Sequence, residues 1–171
     1  PASGDAGGAL GAALFVHYQL LENERMPALM DSQKGSLLGP AFENNSVRTF
    51  LDGQKIPYSF FESEEHLLRA TVDAIVEQNV VGWFQGRMEF GPRALGSRSI
   101  LGDARSETMQ STINLRIKHR ESFRPFAPCV LREDLGDYFD LDRESPYMLL
   151  VAGVREERRC PETEEQKSLR R

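Results

Sequence analysis

The sequence has little of several things that would announce a function. Its 171 residues include two cysteines, Cys129 and Cys160, three histidines and one tryptophan. Two cysteines cannot make a disulfide framework, and no Cys/His cluster has zinc-ligand spacing. No apolar run approaches the ~20 residues of a membrane-spanning helix. No Ser/His/Asp or Cys/His nucleophile set is evident, and there is no internal repeat or low-complexity tract. The net charge of −5 argues against a protein that coats nucleic acid. There is no initiator methionine: the chain opens as PASGDAGGALGAAL, inside a Gly/Ala pattern, and closes as REERRCPETEEQKSLRR, a charged stretch with little apolar content. A fragment is expected, so the lack of a visible signal peptide carries no information.

What is present is a globular balance, 40% hydrophobic and 27% charged residues, enough for one ordinary domain or parts of two. Charge is unevenly spread. Residues 1–82 carry 5 basic and 11 acidic residues, residues 83–128 carry 8 basic and 4 acidic, and residues 129–171 carry 8 basic and 11 acidic. A basic island thus sits inside an acidic chain. Seven of its eight cations are arginine, whose planar fork suits carboxylate or phosphate. A compact anion site fits this better than a broad polyanion surface.

Apolar spacing predicts a helix over 6–23 and a second, the clearest, over 64–78, capped by Ser63 and burying Leu67, Leu68, Val72, Ile75 and Val76. Asn79 is the expected stop. Between the helices, 25–57 is punctuated by proline and glycine and reads as a linker, with a small helix over 46–51. Residues 80–84 read as a buried strand and 85–99 as a loop. A helix is expected over 108–118 with Met109, Ile113 and Ile117 on one face. Strands are expected over 127–131 (burying Cys129) and 147–151, with a helical turn over 134–139 between them. Alternating helices and strands make this an α/β chain.

Three stretches could carry chemistry. The densest is GRMEFGPRALGSRSILGDAR, residues 86–105, where Gly86, Gly91, Gly96 and Gly102 interleave with Arg87, Arg93, Arg98 and Arg105. Glycines free backbone N–H groups, arginines bring forked cations, and Ser97 and Ser99 add hydroxyls, so the stretch could cradle a phosphate. The alternative is a solvated loop whose arginines pair with carboxylates. The second is NLRIKHRESFRPFAP, residues 114–128, with Arg116, Lys118, Arg120 and Arg124. Cations there suit a helix C-terminus, but they outnumber what a cap requires. Arg124, before Pro125 and between Phe123 and Phe126, reads as a positioned side chain. The third is Ser3 to Ala9, where Asp5 beside Gly7 and Gly8 could bind a metal or a ribose hydroxyl, or could simply cap the first helix. His17, His66 and His119 read as surface or packing residues.

In order, GRMEFGPRALGSRSILGDAR, INLRIKHRESFRPFAPCVL and SPYMLLV resemble the C-terminal domain of the O-carbamoyltransferases of nodulation and antibiotic biosynthesis. PASGDAGGALGAAL with the following LGPAF resembles the junction between that family's two domains. The resemblance runs from residue 1 to about 153 and is weakest over 25–62. It implies an α/β fold: a partial YrdC-like domain with a twisted sheet, preceded by a terminal helix of an actin-like ATPase-type domain. The implied division is 1–24 for the end of the first domain, 25–62 for a linker, and 63–171 for a truncated YrdC-like domain. In the family, carbamoyl phosphate yields carbamate. Carbamate is joined to ATP as carbamoyl adenylate, and the carbamoyl group passes to a hydroxyl on a small molecule.

By position, Arg93, Arg98, Lys118, Arg120 and Arg124 fall in the blocks implied to hold carbamoyl phosphate, with Arg87, Ser97, Ser99 and Arg105 beside them. Gly7 and Gly8 fall in a nucleotide-contacting stretch. Asp5 falls where the family supplies a ligand to an iron-type metal; magnesium would accompany ATP. The expected partners are carbamoyl phosphate, ATP and a hydroxylated acceptor, with no nucleic acid, no membrane and room for a homo-oligomer. The ATP-using chemistry implies the cytoplasm. The competing expectations are a non-catalytic YrdC-like module for nucleic acid or nucleotide, and a degenerate regulatory domain that binds without turnover.

Overall fold

A computed structural model describes residues 5–161, with the backbone alone for Asp5. Helix α1, Asp5–Phe15, opens the described chain and ends in a π-helical turn, Val16–Leu20, so the expected first helix is present. After a 3₁₀ turn at Lys34–Ser36 comes α2, Asn44–Gln54, longer than the helix read over 46–51. Helix α3 spans Glu64–Val76. Ser63 takes the extended conformation of an N-cap but makes no side-chain capping bond; Glu64 and Glu65 occupy the positive first turn, as their charge favours. The helix ends at Val76, three residues before the expected stop at Asn79, and Gln78 beyond it takes a left-handed φ of 66°.

Strand β1, Val81–Phe84, follows, and it pairs with β2, Arg98–Leu101, in an antiparallel hairpin. The register sets Val81 opposite Leu101, Gly82 opposite Ile100, Trp83 opposite Ser99 and Phe84 opposite Arg98. The stretch read as loop to residue 99 therefore gives up Arg98 and Ser99 to a strand. The strand over 81–84 is not buried: alternate residues are half-buried and exposed, as on a sheet with one covered face.

Helix α4, Met109–Thr112, runs into a second π-helical turn, Ile113–Ile117. Met109 and Ile113 are the buried apolar side chains among the described residues. Ile117, expected on their face, is exposed instead, because each residue of a π turn reaches five along rather than four and rotates Ile117 off the stripe. Gly102, just past β2, lets this helix approach. A Cβ there would lie 2.8 Å from Ile113 Cδ1 and from Met109 Cγ. Helix α5 is Leu135–Tyr138, in the place expected for a helical turn, and a 3₁₀ turn follows at Glu156–Arg158.

Three expectations fail. The α3 stripe is not buried: Leu67, Leu68, Val72 and Val76 are 39–53% exposed and Ile75 is half-buried, since the short strand β1 packs on this helix and covers little of it. Residues 127–131 and 147–151 are not strands, and Cys129 is exposed. Pro128 lacks the N–H a ladder needs. The pairing that a strand over 147–151 would have made is taken further along, where Phe139 bridges Val154, flanked by Asp140 N–H to Gly153 O and Arg155 N–H to Tyr138 O, both 2.9 Å. What stands is a mixed helical chain with a small antiparallel sheet, compatible with an α/β domain.

Candidate anion site

The hairpin loop between β1 and β2 is built around one buried carboxylate. Glu89 is 4% exposed, and its Oε1 accepts the backbone N–H groups of Leu95 and Ser97, each at 2.7 Å. Its Oε2 accepts Arg98 Nε at 3.2 Å, and Arg98 Nη2 donates to Gly91 O. Gly96, with a φ of 116°, makes the turn that aims both N–H groups inward. Gln85 closes the loop neck, its N–H on Ser97 O at 2.9 Å and its Nε2 on Gly96 O at 3.2 Å. Burial pushes the Glu89 carboxyl up, but the N–H donors of Ser97 and Leu95, with Arg98, outweigh it and hold the group below its usual range.

The segment 36–41 lies alongside this loop. Gly39 N–H donates to Met88 O and Met88 N–H to Pro40 O, both 2.9 Å; Phe90 N–H donates to Ser36 O at 2.5 Å. Arg87 Nη1 donates to Gly39 O at 2.7 Å. Tyr147 ties in from the far end of the chain: its hydroxyl accepts Gly35 N–H at 3.1 Å and donates to Asp31. The Tyr147 bond and the Gly35 N–H hold the Asp31 carboxyl below its usual value.

The second basic stretch wraps a buried amide. Asn114, with no exposed surface, donates through Nδ2 to Ser122 O at 3.0 Å and Arg124 O at 2.8 Å. Its Oδ1 accepts Arg120 Nε at 2.7 Å. Arg120 Cζ also lies 5.1 Å from the centre of the Phe126 ring, a stacking contact. The arginine held against an aromatic is thus Arg120 rather than Arg124, which pairs with Glu121 at 2.8 Å while Phe123 stands 77% exposed. Gln110 adds a bond to Arg124 O at 3.1 Å.

Three of the island's four acidic residues explain much of its arrangement. Glu89 takes Arg98, Glu121 takes Arg124, and Asp103 takes Arg105 through Nε at 2.9 Å and Nη2 at 2.8 Å, besides its backbone N–H at 2.9 Å. Arg105 drives the Asp103 carboxyl well below the usual carboxylate range, and Gln78 Nε2 at 3.2 Å lowers it further. Among the described residues, Arg93 and Lys118 make no side-chain hydrogen bond or ion pair. Ser97 is buried through its backbone bond to Glu89, and Ser99 lies half-buried on β2 opposite Trp83.

The two basic stretches share a frame rather than a direct bond. Arg98 begins β2 and Gly102 follows its end; Gly102 packs on Ile113, next to Asn114. Two shallow concavities lie elsewhere, about 700 Å³ along α3 beside Glu64, His66 and Val72, and about 380 Å³ beside Arg132 and Arg143. Neither is lined by the arginine-rich loops.

At the other end, a Cβ on Gly8 would meet nothing within 4 Å, so no neighbour among the described residues requires glycine there. Gly7 is half-buried at the start of α1. The Asp5 side chain and Ser3 lie outside the described residues. Among those described, no group of three or more His, Cys, Asp or Glu side chains converges on a point that could hold a metal ion. No helix among them is long and apolar enough to cross a membrane.

The sequence reading found the cations but missed their anchors. Glu89 stands inside the first basic stretch and Asn114 opens the second; the available signal for Glu89 is its sign, acidic within a basic run, and Asn114 offers none beyond its place beside Ile113.

Comparison with known proteins places these loops in context. Residues 72–167 match the family model of the carbamoyltransferase C-terminus. Over 91% of its length the chain is 40% identical to nodulation protein NolO of Bradyrhizobium diazoefficiens. Over 77% it is 48% identical to the 3′-hydroxymethylcephem-O-carbamoyltransferase of Streptomyces clavuligerus, and over 99% it is 59% identical to the uncharacterized protein sll1178 of Synechocystis. The chain spans 27–28% of the length of these relatives. With more than half of its residues matched by that model, the chain belongs to the carbamoyltransferase C-terminus family.

Proposed function

We propose that this chain supplies the carbamoyl phosphate end of an ATP-dependent O-carbamoyltransferase. The observation that carries the reading is the pair of anchored basic loops, in which some cations are fixed by buried polar side chains while Arg93 and Lys118 make no side-chain hydrogen bond or ion pair among the described residues. Carbamoyl phosphate is a small dianion. Splitting it requires its phosphate charge to be neutralised and its carbonyl polarised, which preorganised guanidinium and N–H donors do without reorganising during the reaction. No nucleophilic side chain is needed.

In this reading Arg93, Arg98, Lys118, Arg120 and Arg124 hold the substrate, and Arg87, Ser97, Ser99 and Arg105 shape its surroundings. Water would split carbamoyl phosphate there into carbamate and phosphate; a carbamate oxygen would then attack the α-phosphorus of ATP, giving carbamoyl adenylate and pyrophosphate, and the hydroxyl of a small acceptor would take the carbamoyl group as AMP leaves. Gly7 and Gly8 would lie against ATP, with magnesium accompanying the nucleotide. Asp5 would be one ligand of an iron-type ion, with the other ligands assigned to the greater length seen in the relatives. The described residues do not assemble such a centre, so no step is derived through it. The enzyme would work in the cytoplasm, free of nucleic acid and membrane, alone or as a homo-oligomer. A YrdC-like and actin-like origin for its two parts belongs to the same proposal.

The test is calorimetric titration of carbamoyl phosphate, with inorganic phosphate as the reference, at two salt concentrations. One-site binding that exceeds phosphate is expected. A steep salt slope with equal affinity for both anions would instead mark a general polyanion surface. For the metal, Asp5→Ala in the full-length protein should lower bound iron while carbamoyl phosphate hydrolysis survives; equal iron in variant and wild type would return Asp5 to a helix cap.

A further inference from the structure

The five cations assigned to carbamoyl phosphate are not equivalent. Arg98 and Arg124 are each compensated by a carboxylate, Glu89 and Glu121. Arg93 and Lys118 are uncompensated, but among the described residues nothing fixes their side chains. Arg120 alone combines both properties. It is held at Nε by a neutral amide oxygen, Asn114 Oδ1 at 2.7 Å, and stacked on the Phe126 ring. It keeps its full charge, and its Nη1 and Nη2 make no hydrogen bond among the described residues. Glu121 lies close enough to feel this charge, yet its carboxylate bonds Arg124.

From this arrangement we infer that Asn114 is the positioning residue of the anion site: it locks Arg120 by its inner nitrogen so that both terminal nitrogens face the phosphate of the substrate. The inference rests on the proposed function for the identity of the anion. The amide suits this task better than a carboxylate would. A carboxylate at 114 would fix the same nitrogen but cancel the charge that binds substrate, as Glu89 does for Arg98. Asn114 can also donate to the Ser122 and Arg124 carbonyls at once, pinning the loop on which Arg120 sits; a carboxylate would repel both. Its complete burial keeps water from competing for Oδ1.

The experiment is a double-mutant cycle on the full chain, reading the Kd of carbamoyl phosphate and of inorganic phosphate, with melting temperature alongside. Arg120→Lys keeps a charge but removes Nε. It should raise Kd at least fivefold with the melting temperature little changed, and more than Arg124→Lys does. Asn114→Ala should raise Kd about as much alone, yet add less than twofold in the Arg120→Lys background, because its effect passes through Arg120. An undiminished Asn114→Ala effect in that background would overturn the inference, as would an Arg120→Lys effect no larger than that of Arg124→Lys. The latter comparison decides the matter if Asn114→Ala fails to fold. If the wild type binds inorganic phosphate but not carbamoyl phosphate, the proposed function falls while the phosphate cycle still decides Asn114. Binding of neither overturns both.

Discussion

Glu89 and Arg98 form a one-sided pair: the Glu89 side chain is fully enclosed, while the Arg98 side chain, whose Nε meets it at 3.2 Å, is 32% exposed. Glu89 therefore depends on its partners far more than Arg98 does, because water can replace Glu89 for Arg98 but cannot reach Glu89. Glu89→Gln should destabilise the chain by about 1–3 kcal/mol, the scale of weakened hydrogen bonds to a buried charged group. Urea unfolding would measure it, and a loss below a few tenths of a kcal/mol would mean that the loop is held by its glycines alone.

Arg93→Ala and Arg98→Ala should separate binding from folding. Each should weaken carbamoyl phosphate binding by about 1–3 kcal/mol if it donates to the substrate. Arg98→Ala should also lower stability, since it strips Glu89 of its cation, whereas Arg93→Ala should leave the unfolding midpoint in place. Calorimetry and urea unfolding on both variants check this. Equal stability losses would show that Arg93 has a structural partner after all.

The carboxylates of Glu89 and Asp103 both titrate lower in the folded chain than their ordinary values of 4.5 and 3.8. A group of this kind contributes stability that is fully present above its unfolded value and lost as pH falls through its folded one. Near neutral pH the melting temperature should therefore not change with pH through these two groups, and it should drop as pH goes below about 4.5 and then 3.8. Asp103→Asn should lower the melting temperature at pH 7 and flatten the acid limb. An unchanged acid limb in that variant would remove Asp103 from the account.

Gly102→Ala tests the small core. The added Cβ meets Ile113 and Met109 at 2.8 Å, and these two are the buried apolar side chains among the described residues. Part of the crowding falls on the flexible Met109 chain, so a cost of about 1–2 kcal/mol is expected from overpacking. Since Ile113 adjoins Asn114, the same variant should also raise the Kd of carbamoyl phosphate. A change in stability without one in Kd would uncouple the core from the anion site.

How much of this was legible depended on the kind of signal. Helix α3 and strand β1 carry long or β-branched apolar patterns, and their places were readable. Burial was not: Val72 and Leu68 have the spacing of a core stripe, but whether a neighbour covers them is a tertiary fact. Residues 147–151 have strand composition, yet a strand needs a partner, and Phe139 finds its partner at Val154 instead. Ile117 escaped its stripe because a π turn changes the period, and no residue type announces such a turn. In the site the repeated Gly/Arg pattern was visible because it repeats. Glu89 and Asn114 occur once each, and their importance lies in being enclosed.

The hairpin carries its own optical probe. Trp83 is the chain's single tryptophan, half-buried on β1 and paired across the ladder with Ser99, the neighbour of Arg98. Intrinsic fluorescence excited at the indole therefore comes from one place, a residue away from the loop that Glu89 organises. Emission changes on adding an anion, on lowering pH or on unfolding will report this hairpin alone, without a label and without a contribution from α1 or α5.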